Sequence, residues 1–341
     1  MMELNKREQK ILRLIVEDFV EIALPISSST ICKRYNLGLS SATVRNVMNA
    51  LENKGLISQP HVSAGRIPTD VGYRVYVDSL MPVGALSPSE RKNVLKKLKK
   101  VSSDVNLILE NASKILSEIS NQLGIILLPR YYDGIFRKLE LVPISNNRTL
   151  LVIQIKSGLV KTIMLELDFE ISRKILDSTS DVLNERLYGL SLSEIKKSIG
   201  KRLKDVSIGH PSLINYFRFS VDSLFDFDDW EEYYFGGTRN ILRQPEFTRS
   251  SKFDNLMEIL ENKQNMIQFL DSIPDKQPNK ISIGKEISEK KLNSCSVVAS
   301  NYEIGSVRGI IGIIGPTRMN YSRMVSIVNY MSKVITNSVS N

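Results

Sequence analysis

Ser41, Arg45 and Asn49 recur at intervals of four, with Asn46 beside them, in a segment that runs from Ser40 to Gly55. On a helix this spacing stacks them along one face, one turn apart. Short hydroxyl and amide groups with a single arginine suit a DNA major groove, where arginine forks onto guanine and asparagine onto adenine. The expected base contacts are Ser41, Thr43, Arg45 and Asn46, bordered by Ser40 and Asn49. Downstream, the turn-rich loop PHVSAGRIP holds His61, Ser63 and Arg66 around Gly65. His61 and Arg66 are expected in or near the minor groove, and Ser63 as a further donor. Lys33, Lys54 and Arg74 are expected to hold the phosphate backbone.

Any surface helix has a polar face; the order of the surrounding elements is what gives this one a direction. Ser40 can N-cap a helix that Gly55 ends, and Val44, Val47, Met48 and Leu51 form its apolar stripe. Upstream, Glu3 to Ile22 reads as a helix with Leu12, Ile15, Phe19 and Ile22 along one side. Pro25 breaks it, and Ser27 to Ser29 can cap a short helix through Ile31 and Tyr35. The Asn36-Leu37-Gly38 turn then leads into the helix at Ser40. A β-like segment, Leu56 to Gln59, follows, and Thr69 caps another helix with Tyr73, Tyr76, Val77 and Leu80 at core spacing. Helix, short helix, turn, third helix and hairpin is the winged variant of the helix-turn-helix unit, over residues 1–80. Between Lys33 and Arg74 six basic residues face two acidic ones, the footprint of backbone contacts. Glu17, Asp18 and Glu21 make the first helix acidic, so it is expected to face away from phosphate.

At 341 residues, with 42% hydrophobic content, the chain has room for two or three domains with buried cores. No apolar run is long enough to span a membrane, and the N-terminus lacks a secretory pattern, so the expected location is the cytoplasm. Cys32 and Cys295 lie far apart and are expected as buried thiols, not a disulfide. The formal charge of +9 fits a polyanionic partner.

Residues 81–103 read as a linker and a basic helix, ERKNVLKKLKKV, in which Ser89 is the expected cap and Val94, Leu95, Leu98 and Val101 the apolar stripe. This charge run is first a solvated face; a supplementary phosphate contact is the alternative. Another amphipathic helix follows from Asp104. Strand-like segments come next at Ile125 to Leu128, Ile135 to Val142, Leu150 to Ile155 and Val160 to Leu167, with hairpin turns between the later pairs. A mainly helical stretch occupies 172–278, and strands resume from Lys280 before a last helix from about Asn320 to Asn337. This order suggests one α+β domain, 104–171 with 279–341, split by an inserted module at 172–278.

No catalytic constellation emerges. GIIGIIG, around Gly309, Gly312 and Gly315, lacks the G-x-G-x-x-G spacing and the following βαβ unit, so a closely packed strand is the better account and no cofactor is expected. The acidic cluster Asp226, Asp228, Asp229, Glu231 and Glu232 lacks the calcium-loop glycine and distal glutamate. His61 and His210 sit at no ligand spacing with cysteines, so no metal is expected. Ser63 lacks the histidine and acid of a nucleophile.

The segment YNLGLSSATVRNVMNALENKGLISQPHVSAGRIPTDVGYRVYVDSL resembles the N-terminal domain of the heat-inducible transcription repressor HrcA family of bacteria, and GIIGPTRMNY resembles that family's C-terminal signature. Val47 stands where many relatives carry an acidic side chain, and Asn320 where they usually carry aspartate. The resemblance implies a winged-helix domain, a GAF-like domain and an inserted dimerisation domain. It also implies a homodimer that represses chaperone operons through an inverted-repeat operator on double-stranded DNA, supported by the chaperonin GroEL. A different class of reading is a transcription factor whose GAF-like domain binds a small effector.

Overall fold

In the computed structural model the residues described are 3–62, 64–98, 105–129, 134–158, 160–167, 169, 171–225, 233–248, 251–272, 279–305 and 307–339. The architecture is mixed, with helices around three antiparallel sheets.

Asn5 opens α1 (Lys6–Ile22) through a capping box with Glu8, and Ala23 closes it in the left-handed conformation. Ser27 caps α2 (Ser28–Arg34), and Ser40 caps α3 (Ser41–Asn53) by accepting from the Thr43 amide at 3.1 Å. At the far end of α3 the amides of Gly55 and Leu56 donate to the carbonyls of Glu52 and Leu51, with Gly55 at φ +71°. This is the Schellman termination expected of a glycine there. The short strands β1 (Ile57–Ser58) and β2 (Ile67–Pro68) then pair antiparallel around a projecting loop. Thr69 caps α4 (Asp70–Val75), which widens into a π-helical turn, Tyr76–Leu80. Val44, Met48 and Leu51 are buried against Ile11, Leu12, Ile15 and Ile31, whereas Val47 is only partly covered. Each fully buried side chain of this size contributes roughly 1.5–3 kcal/mol.

The expected linker is not free. Ser322 donates to the Pro82 carbonyl at 2.7 Å, and Arg323 pairs with Glu90 at 2.7 Å. The helix α5 (Pro88–Leu98) is capped by Ser87, not Ser89: the Glu90 amide donates to the Ser87 hydroxyl, and the Ser87 amide to the Glu90 carboxylate. Val94 and Leu98 are buried, but Leu95 points outward, and Val101 lies outside the described residues.

Beyond α6 (Val105–Ser120) the strands sort into two sheets, which corrects the single split domain expected from the sequence. Strand β3 (Leu123–Leu127) pairs with neither of the two strands that follow it. Those, β4 (Phe136–Ser145) and β5 (Arg148–Ile155), form a separate three-stranded sheet with β6 (Val160–Glu166). The free edge of β4 is closed by a side chain of α7 (Arg173–Leu187): Asn184 accepts from the Leu139 amide at 2.7 Å and donates to its carbonyl at 3.0 Å. The helices α8 (Leu192–Arg202), α9 (Pro211–Phe219) and α10 (Val221–Leu224) complete this module. The chain returns through β7 (Tyr233–Gly236), which pairs with β3, and α11 (Thr238–Leu242), α12 (Ser251–Glu261) and α13 (Lys263–Ser272) follow. Strands β8 (Lys280–Ile283), β9 (Cys295–Ile304) and β10 (Val307–Pro316) then complete a five-stranded sheet in the order β7-β3-β10-β9-β8, and α14 (Tyr321–Val339) packs on it. The strands 136–166 therefore group with the helices of 173–224, while 233–272 belongs with the tail.

The five-stranded sheet is covered on both faces. Ile126, Val298, Tyr302 and Ile311 share a core with Leu109, Leu116 and Val328, and Ile125, Val297 and Ile310 share another with Phe247, Leu256 and Leu260. This explains GIIGIIG: β10 is the central strand, apolar on both sides. Cys295 is buried, and burial pushes its thiol up to about 12. Cys32 is partly exposed, against the expectation of burial, and neither cysteine forms a disulfide. His210 stacks on Phe169 with ring centroids 4.7 Å apart. The acidic cluster at 226–232 lies outside the described residues. Among the described residues no group of histidine, cysteine and carboxylate side chains is arranged to hold a metal, and no helix is long and apolar enough to cross a membrane.

Candidate nucleic-acid interface

Burial of the Val44, Met48 and Leu51 stripe turns the opposite side of α3 to solvent. Arg45, Asn46 and Asn49 are exposed there. Among the described residues Arg45 has no ion-pair or hydrogen-bond partner, so its guanidinium stands as a free positive charge with its fork of donors unused. The hydroxyls at the helix start are already engaged. Ser40 and Thr43 share a 2.9 Å contact besides the cap, and Ser41 bonds Ser28 at 2.9 Å, tying α3 to α2. A hydroxyl can donate and accept at once, so these bonds orient the three side chains without exhausting them. Lys33, at the end of α2, is exposed.

The β1–β2 loop lies beside this face, and its base is fixed by mutual amide–carbonyl bonds between Ile26 and Arg66 at 2.8 and 2.9 Å. Gly65 is needed at this bridge, since a Cβ there would sit 2.4 Å from the Ile26 carbonyl carbon. Gln59 spans the loop from inside, donating to the carbonyls of Val62 and Ala64 at 2.7 and 3.0 Å. His61 and Val62 are exposed at its tip, and Ser63 lies outside the described residues. A cleft of about 390 Å³ separates loop from helix, lined by Arg45, Asn49, Gln59 and Arg66 among others.

Three of the basic residues expected on DNA are held by carboxylates. Arg66 is largely covered, pairs with Glu52 at 2.8 Å and reaches Asn49 at 3.4 Å. Lys54 contacts both oxygens of the buried Glu8 at 2.9 Å. The Lys54 bond, then the Asn5 amide, hold the Glu8 carboxyl below its ordinary range. Arg74 faces the C-terminal half, with Nε 2.8 Å from Glu286 and Nη2 2.8 Å from the Ile281 carbonyl; the Glu286 bond raises its pKa. In this arrangement Lys54 and Arg74 do not extend the face formed by Arg45, Asn46 and Asn49. On α1, Asp18 is fully buried and pairs with Arg34 at 3.0 Å while accepting from Tyr35 at 2.6 Å. Burial, then that bond, push the Tyr35 hydroxyl up to about 12.

Gln59 and Glu52 were not singled out in the sequence, although both act on the face, one shaping the loop and the other pinning Arg66. The signal for Glu52 was its position one turn from Asn49 on the same helix.

A family model described as the HrcA protein C-terminal domain matches residues 106–325. The chain belongs to the HrcA family. Heat-inducible transcription repressors HrcA of Chlorobium chlorochromatii (strain CaD3) and of Chlorobaculum tepidum are 40% and 41% identical to it, over 99% of this chain and 98% of each relative. A crystal structure of a hypothetical protein at 2.2 Å resolution has a TM-score of 0.63 at 24% identity, covering 99% of both chains, and shares the fold. As an HrcA-family member the chain is a transcription repressor of heat-shock genes and not an enzyme.

Proposed function

We propose that the protein represses chaperone operons as a homodimer in which two winged helix-turn-helix heads read an inverted repeat in double-stranded DNA. The observation that carries this reading is the solvent-facing row Arg45, Asn46 and Asn49 beside a projecting loop. On this reading Ser41, Thr43, Arg45 and Asn46 contact bases, His61 approaches the minor groove, and Lys33 holds phosphate. Protein two-fold symmetry is then mirrored in the operator.

The body built from β3 and β7–β10 with α6 and α14 is the GAF-like part, and the module from β4 to α10 carries dimerisation. Support for the latter comes from Val142, Ile144, Val160 and Met164, apolar side chains exposed on the three-stranded sheet. GroEL raises the folded, competent fraction, and apparent operator affinity scales with that fraction. The packing of both faces of the five-stranded sheet weighs against an effector inside it.

The test is binding to two duplexes, the inverted repeat from upstream of the protein's own chaperone genes and a scrambled version, across a salt series and with or without GroEL. A large preference for the repeat, a steep salt slope and an active fraction raised by the chaperonin are expected. Equal weak binding to both, unaffected by GroEL, would overturn the reading.

A further inference from the structure

We propose that the DNA-reading head is aimed by a latch on the C-terminal body, in which Arg74 is a positioning residue and not a phosphate contact. This rests on the head reading DNA as a pair, as proposed above. Four sets of contacts define the latch. Arg74 forks onto Glu286 and also donates to the Ile281 carbonyl. Asp70, one turn earlier on α4, accepts from the Lys285 amide at 3.0 Å. The receiving turn is shaped for that carboxylate: Gly284 has φ +53°, and a Cβ there would lie 2.4 Å from the nearer Asp70 oxygen. At a separate point Arg318, largely covered, donates to the Val20 carbonyl near the end of α1 at 2.9 Å. It is held in turn by Glu246 at 2.7 Å and Gln244 at 3.2 Å. The buried rings of Tyr73 and Tyr321 meet in the same interface, their centroids 5.8 Å apart.

None of these contacts involves Arg45, Asn46, Asn49 or His61, so the latch leaves the reading face open while fixing the head at both α1 and α4. A tandem reader gains affinity only when both heads reach their half-sites together, and freedom in either head dilutes that gain. The latch therefore sets the spacing and direction in which two heads are presented, and charge at residues 74 and 286 acts on paired binding alone.

The full-length protein and its variants Glu286→Arg, Arg74→Glu and the swapped pair are titrated on a single half-site, on the full repeat, and on repeats with the spacer changed by half a helical turn. Either single variant should weaken full-repeat binding roughly 10- to 100-fold and flatten the spacer dependence. Glu286→Arg should leave the half-site unchanged, and the swapped pair should restore both readouts. Loss of half-site binding in Arg74→Glu that the swap does not restore would show a phosphate contact and overturn the proposal. So would unchanged repeat binding in both single variants. Should the charge reversals fail to fold, Glu286→Gln is compared with the wild type by amide hydrogen exchange without DNA. Faster exchange at 70–80 and 281–287 is expected, and unchanged exchange overturns the latch. That comparison stands even if the wild type shows no preference for the repeat, an outcome that would sink the operator reading alone.

Discussion

Arg45→Ala isolates the proposed reading face because the side chain is exposed and, among the described residues, carries no internal partner. Truncating it should move the stability of the fold by no more than about 0.5 kcal/mol, the usual range for such surface changes. On a single half-site the loss of a bidentate base contact should cost about 1–3 kcal/mol, which is roughly 5- to 150-fold in affinity. A dimer carries the change twice, so if the two heads are independent the full repeat loses about 2–6 kcal/mol. Fluorescence anisotropy on half-site, full repeat and scrambled duplex, each across a salt series, separates the possibilities. A base contact lowers the specific binding and leaves the salt slope in place, whereas a phosphate contact weakens all duplexes alike and reduces the slope by about one for each bound head. Equal losses on repeat and scrambled DNA with a shallower slope would refute the assignment, and no loss on any duplex would show that this side of α3 is not the reading face.

Gly65→Ala should push the loop base away from Ile26, lowering stability by about 1–3 kcal/mol and operator affinity more than non-specific affinity; denaturation and anisotropy together check both. Lys54→Met should remove the partner that depresses the Glu8 carboxyl. A depressed carboxyl contributes stability above its unfolded value and loses it as pH falls through the folded one. The stability gap between wild type and Lys54→Met should therefore be full at neutral pH and close on acidification below about 4.5 in urea melts; a gap independent of pH would show that the pair contributes nothing through Glu8. Asn184→Leu should leave the Leu139 amide and carbonyl without their side-chain partner, costing about 1–3 kcal/mol, and should open the β4 edge to association, measurable by light scattering.

The head was legible because its signals are local. Ser40, Gly55, Thr69 and the Val44–Met48–Leu51 stripe act on residues within a few positions of themselves, and each does in the structure what its type predicts. Charge is less legible for the opposite reason. A basic residue counts as free in a sequence until its partner is known, and Lys54 and Arg74 find theirs at Glu8 and Glu286, the second in the other half of the chain. The sheets went astray in part through a signal that was present. Strand β5 alternates buried and half-exposed positions, as a one-sided sheet requires, whereas β3, and β10 from Gly309 onward, are apolar and buried without alternation, as strands covered on both faces require. Reading that difference separates the two sheets, but it cannot show that Tyr233–Gly236, beside the acidic cluster, is the strand that completes the larger one.

The same topology gives a physical reason for the proposed support by GroEL. Strand β3 is wholly apolar, yet its partners β7 and β10 arrive only after the entire β4–α10 module, Ile126 pairing with Tyr234 and with Ile311. The latch groups on the body, Glu286 and Arg318, also come late in the chain. Until these segments fold, β3 is an exposed edge, and closing such distant pairs is slow and prone to aggregation. If GroEL raises the competent fraction from about 0.1 to about 0.9, apparent operator affinity should improve about ninefold with the intrinsic affinity and salt slope unchanged. Refolding from denaturant with and without GroEL and ATP, followed by active-site titration on operator DNA, measures that fraction directly. A chaperonin effect that altered the salt slope at a constant active fraction would mean that GroEL changes how the folded protein binds, and the folding argument would fail.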